Sequence, residues 1–120
     1  MTTVKGHTSA IRAKTVLGTD VKNGTGKKLG TIEDIILDKQ TNNIMFAVVG
    51  FGGFLSMGEK YHPLPWSGLD YDPDESAYVI NYTEEQLKAA PAGSIDELTG
   101  HDGLGYRDRV YQYYKAPRYW

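Results

Sequence analysis

Two neighbouring stretches decide the fold: KLGTIEDIILD at residues 28–38 and IMFAVVGF at residues 44–51. Both are rich in β-branched residues, and the polar residues 39–43 separate them, so they predict two strands joined by a turn. In the first stretch Ile32 is out of phase with Ile35 and Leu37, which predicts a bulge in a strongly curved strand. The second stretch is apolar on both faces, which predicts a central strand that is covered on each side.

Further short strands flank this pair. The residues NGTG at 23–26 predict a tight turn before it, and residues 60–64 predict a strand that ends at the prolines 63 and 65. A turn at residues 66–69 and a strand at residues 77–82 follow. With 14 glycines and 9 tyrosines in the chain, this pattern predicts a mainly β fold.

Helix signals lie near the C-terminus. Thr83 with Gln86 three residues later has the spacing of a capping box, and Pro91 should end that short helix. Ser94 with Glu97 repeats the spacing. The residues Tyr106, Val110 and Tyr113 or Tyr114 then fall at helical spacing, which predicts a partly helical tail.

Composition limits the classes of function. The 120 residues are enough for one core, and 13 basic against 15 acidic residues give a net charge of −2, which provides no positive field for nucleic acid. The lack of cysteine excludes disulfides, thiolate zinc sites and cysteine nucleophiles. We find no signal-peptide pattern and no apolar run that could cross a bilayer, so we expect a cytoplasmic protein without membrane insertion.

Candidate catalytic groups are sparse. The histidines at positions 7, 62 and 101 are too scattered to present two metal ligands on one face. Glu33, Asp34 and Asp38 share one strand, but alternation predicts that both aspartates point outward while Glu33 points the other way, so solvated or turn-capping carboxylates are favoured over an acid–base pair. We therefore expect no enzyme activity, no cofactor and no metal.

A known family shows the same order of elements. The turn at 23–26, GTIEDIILD at 30–38, FAVV at 46–49, GGFL at 52–55 and the pair Pro65-Trp66 together resemble the PRC-barrel family over residues 14–92. The resemblance implies a small antiparallel PRC-type β-barrel with a short helix after its last strand. Residues 1–13 would then be a lead-in and residues 93–120 an aromatic-rich extension. The positions expected to be structural are Gly30, Asp34, Gly52, Gly53, Pro65 and Trp66.

The resemblance also implies a function. Relatives such as the cytoplasmic domain of the photosynthetic reaction centre H subunit and the C-terminal domain of the ribosome maturation factor RimM act as docking surfaces. We therefore expect a non-catalytic adaptor for unidentified protein partners that self-associates as a homodimer. An RNA- or ribosome-associated module, disfavoured by the charge, and a reaction-centre-like accessory protein are the alternatives.

Two aromatic and apolar segments are the candidate interaction sites. The glycine-rich apolar loop at residues 51–58 must either plug the barrel or contact another chain. The tail could pack on its own barrel, on a second subunit or on nucleobases. The candidate residues are Phe51, Phe54, Leu55 and Met57 in the loop, and Tyr106, Tyr111, Tyr113, Tyr114 and Trp120 in the tail.

Overall fold

The computed structural model describes residues 10–52 and 61–120, apart from the side chains of His101 and Asp102. The elements in chain order are α1 (Ala13–Val16), β1 (Asp20–Lys22), β2 (Lys28–Asp38), β3 (Asn43–Phe51), β4 (His62–Pro65), a 3-10 turn (Trp66–Gly68), β5 (Asp70–Asp72), β6 (Ala77–Val79), α2 (Glu84–Ala89), α3 (Ile95–Thr99), a second 3-10 turn (Gly100–Gly103) and α4 (Leu104–Tyr114). The fold is mainly β, as the sequence predicts.

The six strands form one sheet in the order β4-β3-β2-β1-β6-β5. Neighbours pair antiparallel except β1 and β6, which run parallel with Asp20 opposite Ala77. The expectation of a purely antiparallel sheet is therefore wrong. β6 reaches β1 after a long excursion through the other strands, so no hairpin turn imposes the antiparallel direction on that pair.

The two edge strands, β4 and β5, are consecutive in the chain. Residues 66–69 join them through the first 3-10 turn, where the Leu69 N–H donates to the Trp66 carbonyl at 3.2 Å. Five residue steps from Pro65 to Asp70 reach at most about 18 Å, so the sheet must roll until its edges approach each other. Among the described residues no ladder hydrogen bonds join these edges, so the predicted closed barrel is not confirmed.

The predicted bulge in β2 is confirmed. Pairing with β3 skips one residue between Ile32 and Asp34, which leaves Glu33 without a partner in the register. A second shift lies between Ile36 and Leu37, where Met45 of β3 is the additional residue. Bulges bend a strand and increase its twist, so these two positions curve the β2–β3 pair.

β3 is a central strand, as predicted. It lies between β2 and β4, and Met45 through Val49 are all buried although their side chains alternate between faces. One core encloses it. The fully buried members of this core include Phe46, Ile32, Met45, Leu64, Ile80, Leu87 and Val110.

Both predicted capping boxes are present. The Gln86 N–H donates to the Thr83 hydroxyl and the Gln86 side chain accepts from the Thr83 N–H at the start of α2; Ser94 and Glu97 do the same for α3. These exchanges satisfy backbone donors that a helix start leaves free. α4 follows and buries Val110, Tyr111 and Tyr114, so the C-terminal extension supplies part of the core.

Candidate interaction surface

Of the four candidate residues in the apolar loop, only Phe51 lies within the described residues. Phe54, Leu55, Met57 and Gly53 lie outside the described residues, so their predicted roles remain predictions. Phe51 ends β3 in a buried position and packs edge-on against the His62 ring at 4.9 Å between centroids. In this structure Phe51 is a core residue of its own chain.

His62, the histidine of β4, is also a core residue. It is buried beside Phe51, and burial lowers its pKa from the ordinary value of 6.5. The ring is therefore neutral near pH 7 and packs against Phe51.

The tail aromatics divide by burial. Tyr111 and Tyr114 are buried in the core of the chain, so in this conformation their rings are not offered to a partner. Tyr106, Tyr113 and Trp120 are half-buried. The hydroxyls of Tyr106 and Tyr113 donate to the Ala92 and Gln86 carbonyls at 3.3 and 2.6 Å, so these two rings fasten α4 to the segment that contains α2.

Tyr111 connects the tail to the sheet. Its hydroxyl donates to the Met45 carbonyl at 2.7 Å, at the residue that the second bulge leaves out of the ladder register. A buried carbonyl without a partner is costly, so this bond stabilises the bulge. Burial raises the pKa of Tyr111 to about 12, which keeps the phenol protonated.

The positions predicted to be structural occupy close contacts and strand ends. A Cβ at Gly30 would collide with the Gly50 carbonyl oxygen across the β2–β3 pair. Asp34 is half-buried and accepts the Ile35 N–H at 2.8 Å. Gly52 is exposed, and its N–H donates to the Leu29 carbonyl at 3.2 Å.

Pro65 ends β4, and Trp66 begins the first 3-10 turn. Pro65 is buried opposite Phe46. Trp66 packs against Tyr78 at 5.6 Å between ring centroids but is only half-buried, so it borders the core and is not its centre.

Asp38 contradicts its predicted orientation. The carboxylate was expected to point to solvent with Asp34, but it is 3% exposed. Its Oδ1 accepts the N–H groups of Gln40 and Thr41 at 2.9 and 3.3 Å. The turn-capping role that the sequence favoured is therefore present, but the predicted outward orientation is wrong. The C-terminal tail covers this end of β2, and strand alternation carries no information about a segment about 80 residues away.

The tail supplies the remaining partners of Asp38. The Tyr119 hydroxyl donates to Oδ2 at 2.6 Å, and Arg107 Nη1 of α4 lies 3.5 Å from the same oxygen. The Tyr119 hydrogen bond, against the opposing effect of burial, holds the pKa of Asp38 below its ordinary value, and Gln40, Thr41 and Arg107 add to the lowering. A buried carboxylate is stable here because its lone pairs and its charge are compensated.

Aromatic stacking holds this cluster together. The Arg107 guanidinium lies 3.9 Å from the centre of the Trp120 ring, and Tyr111 contacts Trp120 edge-on at 5.0 Å between centroids. Tyr119 contacts both Tyr111 and Trp120, at 5.7 and 5.1 Å. The last two residues of the chain are thus fixed to both α4 and β2.

Leu37, next to Asp38, points the other way. Its side chain is 64% exposed, the largest exposed fraction among the large apolar side chains of the described residues. It borders a groove with a volume of about 380 Å³ whose apolar lining includes Ile36, Met45 and Leu104. Lys39, Gln40 and Thr99 contribute polar groups to the same groove. We call Leu37, Ile36, Met45 and Leu104, with the groove between them, the Leu37 surface.

Sequence reasoning missed both members of this pair. The phase of the apolar residues placed Leu37 inward and Asp38 outward, which is the reverse of what the structure shows. A signal was present, since Arg107, Tyr119 and Trp120 are groups that could compensate a carboxylate, but nothing in the spacing connects them to β2.

Comparison with known proteins identifies the family to which the chain belongs. The family model described as "PRC-barrel domain" matches residues 9–87, about two thirds of the chain. The chain belongs to the PRC-barrel domain family, which confirms the resemblance drawn from its motifs.

One relative is found in Deinococcus radiodurans and is described as an uncharacterized protein. It is 26% identical to this chain over 85 residues. The match covers 71% of this chain and 30% of the relative, so the chain spans less than a third of that longer protein.

No described helix is long and apolar enough to cross a bilayer. Within residues 10–52 and 61–120, leaving aside His101 and Asp102, no three histidine, aspartate or glutamate side chains come together as a set of metal ligands.

Proposed function

We propose that this protein is a non-catalytic interaction module that self-associates through the Leu37 surface. The observation that carries the proposal is the reversed polarity of two adjacent residues: Leu37 is 64% exposed while Asp38 is 3% exposed. The membership in the PRC-barrel family fits a docking role, since it was the resemblance that implied one.

The reversed polarity of Leu37 and Asp38 lowers the folding stability of the isolated chain. Burying a leucine side chain contributes roughly 1.5–3 kcal/mol, most of which Leu37 does not gain. Burying a carboxylate costs several kcal/mol, roughly, before its partners compensate it. A use for an exposed Leu37 accounts for keeping this arrangement, because a partner that covers Leu37 recovers the missing stabilisation.

The shape of the Leu37 surface favours a second copy of the chain as the partner. One patch carries both a projecting side chain and a recess beside it. A twofold axis through such a patch places each Leu37 in the groove of the other copy, which is the self-complementary contact of most homodimers. In this proposal the Leu37 surface forms the dimer interface, whereas the sequence suggested the apolar loop and the aromatic tail as interfaces.

RNA binding receives less support from the geometry. Arg107 is engaged with Asp38 and Trp120, and the Arg109 guanidinium lies over the Tyr106 ring at 4.6 Å. Cationic groups and rings that contact each other within one chain are less available to stack bases and neutralise phosphates.

Sedimentation equilibrium of two matched variants tests the proposal. Leu37→Asp should weaken self-association by more than about tenfold, because a carboxylate would enter an apolar contact. Leu17→Asp is the control, since Leu17 is 43% exposed at the end of α1, away from the groove. A wild-type chain that stays monomeric at high concentration, or equal association of both variants, would refute the proposal.

A further inference from the structure

The C-terminal segment is attached to the same strand end that presents Leu37. Residues 115–120 leave α4 at Lys115, which has a left-handed backbone with φ of 54°. The Ala116 N–H donates to the Tyr111 carbonyl at 3.0 Å, and beyond it Tyr119 and Trp120 return to Asp38 and Arg107. We call residues 115–120 the C-terminal strap.

The strap compensates one particular oxygen. Asp38 Oδ1 accepts hydrogen bonds from the turn after β2, and none of these donors belongs to the strap. Oδ2 depends on Tyr119 of the strap and on Arg107, whose guanidinium is in turn covered by Trp120. Release of the strap removes both the shortest hydrogen bond of Asp38 and residues that cover it. The ionised side chain then has fewer partners inside than it has in water, which favours turning outward.

Turning Asp38 outward moves Leu37 inward. Successive side chains of a strand point to opposite faces, so the two residues exchange sides together. The groove beside Leu37, with a volume of about 380 Å³ and a lining that is partly apolar and includes Asp38, offers space for the Leu37 side chain. The register shift between Ile36 and Leu37 lies at the start of the moving segment, where the ladder is already interrupted.

We propose that the C-terminal strap is a switch for the Leu37 surface. A bound strap keeps Asp38 inside and Leu37 exposed; a released strap lets Leu37 fold into its own groove and withdraws the surface. Tyr119 is the positioning residue of this switch. The consequence for self-association rests on the proposed function, and by linkage a bound second copy would stabilise the strap by the same factor.

Thiol labelling tests the switch in the full chain. The protein has no cysteine, so Leu37→Cys introduces a single probe at the position in question. Its reaction rate with a maleimide, measured at low protein concentration where the chain is monomeric, reports the exposure of residue 37. In the Tyr119→Phe background the rate should fall, because losing a hydrogen bond to a charged group shifts the ratio of released to bound strap by about tenfold or more.

Tyr113→Phe is the matched control. Tyr113 also donates a hydrogen bond of 2.6 Å, but to the Gln86 carbonyl, which has no part in the strap. The labelling rate in this background should equal that of the parent. Trp120→Leu, which removes the ring over Arg107, gives a second route to strap release and should slow labelling in the same direction.

The outcomes separate the two proposals. Unchanged labelling in both the Tyr119→Phe and Trp120→Leu backgrounds overturns the switch, whatever the state of association. Slower labelling in a chain whose Leu37→Asp variant associates like the wild type supports the switch and refutes self-association through Leu37.

Discussion

Asp38 shows most clearly how a single residue departs from what its neighbours in sequence suggest. It is a charged side chain in the interior, compensated by Tyr119 and Arg107 from the far end of the chain. Its pKa lies below the usual 3.8 because these partners, Tyr119 first, favour the ionised form.

The lowered pKa makes part of the stability dependent on pH. A carboxyl whose folded pKa is depressed stabilises the fold above its unfolded value, and this contribution is lost as the pH falls from 3.8 toward the folded value. Asp38→Asn should therefore lower the free energy of unfolding at pH 7 by about 1–3 kcal/mol. The variant should also lose less stability than the wild type as the pH falls below about 4.

Urea unfolding of both proteins at a series of pH values measures this effect. Asp96→Asn, at an exposed position of α3, is the control and should follow the wild type. Equal stability of Asp38→Asn and wild type across the range would show that Asp38 does not hold the tail.

At the scale of secondary-structure elements, the sequence predicted the features that depend on neighbouring residues. The phase slip around Ile32 predicted the bulge at Glu33, and the doubly apolar 44–51 stretch predicted the central strand β3. Thr83 and Ser94 marked two helix starts. The parallel pairing of β1 with β6 was not predicted, because it depends on a contact between segments more than fifty residues apart that neither segment encodes alone.

Gly30 is the element-scale position where a small change should have a large effect. A methyl group there would meet the Gly50 carbonyl oxygen and lie 2.9 Å from the Phe51 Cα, both of them backbone atoms that cannot rotate away. Gly30→Ala should therefore cost about 1–3 kcal/mol of unfolding free energy through overpacking of the β2–β3 pair.

Gly24→Ala is the matched control in the preceding turn, since nothing lies within 4 Å of its added Cβ. The comparison uses thermal and urea unfolding of the two variants. If Gly30→Ala were as stable as Gly24→Ala, the close β2–β3 approach at Gly30 would be wrong.

At the scale of the whole molecule, the C-terminal extension and the sheet share one core. Val110, Tyr111 and Tyr114 of α4 belong to the same cluster of buried side chains as Met45 and Phe46 of β3. The family match ends at residue 87, so the family motifs could not predict that α4 completes the core.

A shared core predicts that damage in the extension destabilises the sheet. Val110→Ala should lower the unfolding free energy by about 1–3 kcal/mol, the cost of a large-to-small change in a packed interior. The transition followed by tryptophan fluorescence and by circular dichroism should shift as one.

Leu17→Ala, at a 43% exposed position, should change stability by less than about 0.5 kcal/mol. Two separate transitions in Val110→Ala, with that of the sheet unchanged, would mean that residues 93–120 fold apart from residues 14–92.

Leu37 and Asp38, the reversed pair at the end of β2, matter at all three scales, because the proposed self-association covers the exposed Leu37. The most direct measurement is a nuclear magnetic resonance dilution series of the full chain from millimolar to micromolar concentration. Concentration-dependent shifts of backbone amides should concentrate at residues 36–40, Thr99 and Leu104. Shifts that are absent throughout the series, or that gather around Leu17 or β5, would contradict self-association through the Leu37 surface.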